Sequence, residues 1–146
     1  MNKIKYILLL VFFINTINAA DEGILLETTG LLSVQGAILT QISLGTTFDA
    51  WRGEVYNDKG FEELIMTYQE AIQGIRAQLY SLSQYGRLSS EDVEFFNLII
   101  NLYDAMNKES NSMLKYSYTK KDADYNQYLN DRESALNLIN SIFEFE

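Results

Sequence analysis

Acidic side chains are the only groups in this 146-residue sequence spaced closely enough to suggest chemistry. Glu62–Glu63 and Glu91–Asp92 are paired carboxylates, the set a glycoside hydrolase divides between general acid and base or nucleophile. Asp122–Ala123–Asp124 brings two hard oxygen donors together, as a calcium loop does, but no further series of ligands follows it. All of these acids fall near expected helix starts, where carboxylates stabilise the positive end of the helix dipole. That structural role outweighs the chemical one at each position. No residue is assigned as catalytic, and no cofactor or metal site is expected.

The missing residue types narrow the chemistry further. Histidine and cysteine are both absent, so no Ser–His–Asp or Cys–His nucleophile can be assembled and no thiolate or imidazole zinc site can form. The eight glycines are scattered and build neither GxGxxG nor GxxxxGK, the backbone loops that cradle phosphates. The sequence therefore reads as non-enzymatic.

The chain begins with a three-part leader: Lys3 and Lys5, the apolar run Tyr6 to Ile14, and a short polar stretch ending at Ala19–Ala20. The apolar run is too short for a membrane span of roughly 20 residues. It is read as a signal peptide, residues 1–19, cleaved after Ala19 or Ala20. Residues 20–146 carry nine Lys/Arg against twenty Asp/Glu, a net charge of −11. A surface so poor in cations is unsuited to nucleic acid or anionic lipid. No second membrane segment follows, so a periplasmic or extracellular location with protein partners is expected. Packing without disulfides must hold the domain together.

Proline is also absent, which suits long helices, since it costs about 3 kcal/mol inside one. The apolar spacing predicts an all-α fold, an antiparallel bundle of three to four helices forming one domain over 20–146. A first helix is expected over Gly23–Leu44, uncharged from Thr28 to Thr47, with small residues that permit close approach. A loop over 45–59 follows and holds Phe48, Trp51 and Tyr56. These are the candidate partner-binding residues, because aromatic side chains on loops are common interface anchors. The competing expectation is that Trp51 folds back to cap the core.

The second helix is capped by Asn57 or Asp58, carries Phe61, Ile65, Tyr68, Ile72, Ile75, Leu79 and Leu82 at alternating four and three spacing, and stops at Gly86. Ser89–Ser90–Glu91–Asp92 starts the third, with a Ser cap and acids in the first turn. Its apolar lines, Val93–Phe96–Ile100–Tyr103 and Phe95–Ile99–Leu102–Met106, cover enough of its girth to make it central. The pattern thins beyond Asn107. A fourth helix runs from about Ala123 to Phe143, with Tyr125, Tyr128 or Leu129, Arg132, Leu136, Ile139 and Phe143 along one side. The Arg132 tip is expected to reach water past the seam.

Leu88–Ser89–Ser90–Glu91–Asp92, then Ile100, Tyr103 and Met106, then Tyr116 to Lys121, resemble a family of exported helical transfer proteins. That family is encoded in the conjugation operons of conjugative transposons and is similar to the minor pilus subunits of type IV secretion systems. The resemblance implies a periplasmic component of a conjugation apparatus, working through protein partners. The alternative is a stand-alone periplasmic binding protein, a chaperone or an inhibitor of a basic partner, steered by its negative charge.

Overall fold

The computed structural model describes residues 22–84 and 88–143, with side chains from residue 26 onward. Four helices and no strand occur among them: α1 (Glu22–Arg52), α2 (Asp58–Ser83), α3 (Ser90–Thr119) and α4 (Asp122–Phe143). They form the expected antiparallel bundle. The leader at 1–19 and the stop residue Gly86 lie outside the described residues. Among the described residues, no helix is long and apolar enough to cross a membrane.

Helix starts are set by local chemistry. The Asn57 side chain accepts from the Gly60 N–H at 2.8 Å and caps α2. Ser89 and Asp92 form a reciprocal capping box that opens α3, satisfying donors that a helix start otherwise leaves bare. Helix α3 is central and packs against the other three. Phe96, Ile99, Leu102, Tyr103 and Met106 on it are at most 2% exposed. They meet Phe61, Ile65, Ile72 and Leu79 of α2, also in the core.

The apolar pattern of α3 thins after Asn107 because several of the residues it buries there are polar. Glu109, Ser110, Ser112 and Ser117 are all buried. The three serine hydroxyls donate to carbonyls three residues back on their own helix, so they need no outside partner. The helix continues unbroken to Lys120, which ends it in the left-handed conformation, φ 52°. Helix α4 starts two residues later.

Three expectations are corrected. The loop placed at 45–59 shrinks to 53–57, since α1 continues through Arg52. Val34, Ala37, Gln41, Leu44, Phe48 and Trp51 form one continuous buried seam at three and four spacing, and burial along it outweighs the low helix propensity of Gly45. Gly45 is needed for a close approach: a Cβ there would lie 2.8 Å from an Arg132 guanidinium nitrogen. The half-buried Arg132 tip accordingly folds back against α1, rather than out past the seam, and donates to the Tyr128 hydroxyl at 2.7 Å. On α4 the inner face is Asp124, Tyr128, Ala135 and Ile142, leaving Leu136 at 42% and Phe143 at 60% exposed. The small Ala135 lets α4 sit close.

Candidate functional site

The three aromatic residues singled out as partner anchors lie at one end of the bundle, where α1 turns into α2. Continuation of α1 places Phe48 and Trp51 on the inner seam, 1% and 8% exposed, which corrects their assignment to a surface loop. The Phe48 ring lies 4.2 Å from Tyr128, and Trp51 stacks on Phe61 at 4.7 Å. Trp51 therefore caps the core. Tyr56, at 39% exposed, is the one ring of the three that reaches the surface.

Polar groups close this end. The Trp51 indole N–H donates to Asp58 at 2.8 Å. The Lys120 ammonium sits 4.0 Å above the Trp51 ring and 3.1 Å from the same carboxylate. The indole hydrogen bond, helped by Lys120, holds the Asp58 carboxyl below its ordinary range. Outside this clamp is an open groove of about 550 Å³, bordered by Arg52, Glu54, Tyr56, Asn57, Tyr116 and Lys120. Glu54 occupies the left-handed region, φ 62°. Its N–H bonds the Trp51 carbonyl and the Val55 N–H bonds that of Ala50. This is the helix-ending arrangement in which glycine is the usual occupant of the left-handed position.

Each carboxylate set considered for catalysis or calcium contains an acid already in structural use. Glu62 accepts from the Tyr118 hydroxyl, and Glu63 lies 3.8 Å from Lys59. Asp92 belongs to the α3 capping box. Asp124 is bound by Lys115 at 2.7 Å and by the Thr119 hydroxyl at 2.7 Å, and the Lys115 contact, with Thr119, lowers its pKa. Among the described residues, no group of three or more acids is placed to hold a metal ion.

Sequence reasoning missed a buried polar layer at mid-bundle. Glu109, fully buried, accepts from the Gln41 amide at 2.6 Å. The other Glu109 oxygen and the Gln41 carbonyl oxygen have no partner. Burial pushes the Glu109 carboxyl up to about 7, against the opposing pull of Gln41 and Arg132. Its signal was in the sequence: Glu109 stands between Met106 and Met113 at core spacing.

The remaining candidate is the outer face of α1. Leu31, Leu32, Leu39 and Ile42 are 56%, 61%, 65% and 57% exposed. No charged residue lies between Glu27 and Asp49. Thr40, Ser43 and Thr46 donate their hydroxyls to their own helix four residues back, which makes this face less polar than its composition suggests. The residues that carry the family resemblance are caps and core: Ser89 and Asp92 at a helix start, Tyr103 and Met106 in the interior. Comparison with protein-family models, with curated proteins and with solved structures finds no match.

Proposed function

We propose that this is a non-enzymatic, exported interaction subunit, working through α1 as a periplasmic component of a conjugation-type secretion apparatus. One observation carries the interaction part of the reading. Four large aliphatic side chains stand more than half exposed on a helix face without charge, in a strongly acidic chain. Several large aliphatic side chains exposed along one face are characteristic of contact faces. The transfer apparatus is supported by the resemblance over residues 88–121, and export by the leader.

The test is site-specific photo-crosslinking in the native host. A crosslinker at Leu39 is expected to give a discrete adduct with a polypeptide identifiable by mass spectrometry. The same group at Glu133, exposed on α4, is the control. Adducts of equal yield from both positions, or none from Leu39, overturn the reading. Identification of the adduct as a different polypeptide that is no envelope transfer component removes the conjugation assignment alone.

A further inference from the structure

Helix α1 carries two heptad seams on opposite sides. The inner one, Val34–Ala37–Gln41–Leu44–Phe48–Trp51, packs on α2, α3 and the start of α4. The outer one is Thr28–Leu32–Gln35–Leu39–Ile42–Thr46, and all six residues are exposed. Alternating four and three spacing is the pattern by which one helix meets another along its length. A groove for a small molecule or an extended strand does not require it.

The outer seam is close to a palindrome about Ala37. Nine residues to either side stand Thr28 and Thr46, five to either side Leu32 and Ile42, two to either side Gln35 and Leu39. In an antiparallel pair with its two-fold axis at that point, threonine meets threonine and Leu32 of each copy meets Ile42 of the other. Gln35 of each copy meets Leu39 of the other, beside the axis, where its amide can still reach the rim of the seam. A two-fold contact must be complementary to itself, and this spacing is. Charge points the same way. Two copies of an acidic chain repel one another except through a face that carries no charge. A cationic partner would find nothing on this face to recognise.

We infer that a second copy of this chain covers the outer face of α1, in an antiparallel helix pair centred on Ala37. The inference rests on α1 being the interaction face, and commits it to self-association.

The experiment is light scattering coupled to size-exclusion chromatography on protein expressed from the full coding sequence. The expected result is a mass of two chains that falls to one on dilution. Leu39→Glu, at a site 65% exposed, is expected to give a one-chain mass at every concentration with the helix content of the wild type kept, and a melting temperature that no longer depends on concentration. Added salt should tighten the pair, because it screens the repulsion between acidic copies. The chain has no cysteine, so orientation can be read from introduced ones. Under oxidation the double variant L32C/I42C should form a covalent dimer, while T46C alone, about 27 Å along the axis from its own counterpart at 1.5 Å per residue, should not.

A wild-type protein that stays at one chain when concentrated overturns the inference. A dimer indifferent to Leu39→Glu, or one cross-linked through T46C alone as a parallel pair would be, does the same. A Leu39 photo-adduct with a different polypeptide, beside a one-chain mass, would leave α1 as the interaction face and remove self-pairing. Absence of both would remove the two together.

Discussion

Two buried regions of this bundle solve the same problem in opposite ways. At the turn end, Phe48, Trp51, Phe61 and Tyr128 fill the interior with rings, and every polar tip in the cluster reaches a partner at the rim. Trp51 bonds Asp58, and Tyr128 receives the Arg132 guanidinium. At mid-bundle, Glu109 and Gln41 satisfy each other once and leave two oxygens bare. Rings with a polar end placed at the boundary combine burial with hydrogen bonding. A carboxyl wholly inside must either lose its charge or lower stability by keeping it. The first region therefore holds the fold together, and the second makes it sensitive to its surroundings.

The largest effect should come from the rings. Phe48→Ala is expected to lower unfolding free energy by about 3–5 kcal/mol, the range for deleting a buried aromatic, measured by urea denaturation. A loss below about 1 kcal/mol, the size of an exposed substitution, would erase the contrast between the two regions.

Glu109 comes next. Its carboxyl moves from an ordinary value of 4.5 to about 7 on folding, so the folded state holds the proton more tightly than the unfolded one. That contribution is complete below about 4.5 and is lost as pH rises through about 7. The difference is about 3.5 kcal/mol at most, from roughly 1.4 kcal/mol per unit. Stability should fall between about pH 4.5 and 7 in the wild type, while Glu109→Gln should flatten the profile over that window. Equal slopes in the two proteins would show that Glu109 is not the group responsible.

Smaller effects sharpen the picture at the turn. Glu54→Gly should raise stability by about 1 kcal/mol, since it relieves a left-handed backbone that side chains disfavour. Lys120→Gln removes the cation above Trp51 and its exposed ion pair with Asp58. The expected loss is about 0.5–1 kcal/mol, shrinking in high salt. Thermal melts at two ionic strengths would measure both. A Lys120 variant with a large, salt-independent loss would mean that the clamp is structural in its own right.

The helices that pack by simple amphipathic spacing were legible in the sequence. In α2, Phe61, Ile65, Ile72 and Leu79 are all buried and Tyr68, Ile75 and Leu82 flank the core. The Asn57 and Ser89 caps follow from residue type. The end of α1 was harder because glycines and an aromatic–acidic mixture imitate a loop, while the seam that keeps it helical is visible only once Leu44, Phe48 and Trp51 are counted together. On α4 the large residues mislead: Ala135 faces in and Leu136 out. The Glu109 layer was hidden for a different reason, since a buried acid looks like a surface one unless the spacing of its neighbours is weighed. Of the three candidate partner residues, composition located the cluster and the helix boundary decided which side of it faced water.

The clamp around Trp51 has an optical consequence. It holds the only tryptophan in the chain where three helices meet, with its N–H on α2, its face under Lys120 at the end of α3, and its backbone on α1. Emission from this protein is therefore a local gauge of whether the end of α1 is seated, requiring no attached dye. Circular dichroism counts helix wherever it lies. A partner that drew α1 away without unwinding it would redden the fluorescence and leave the dichroism unchanged.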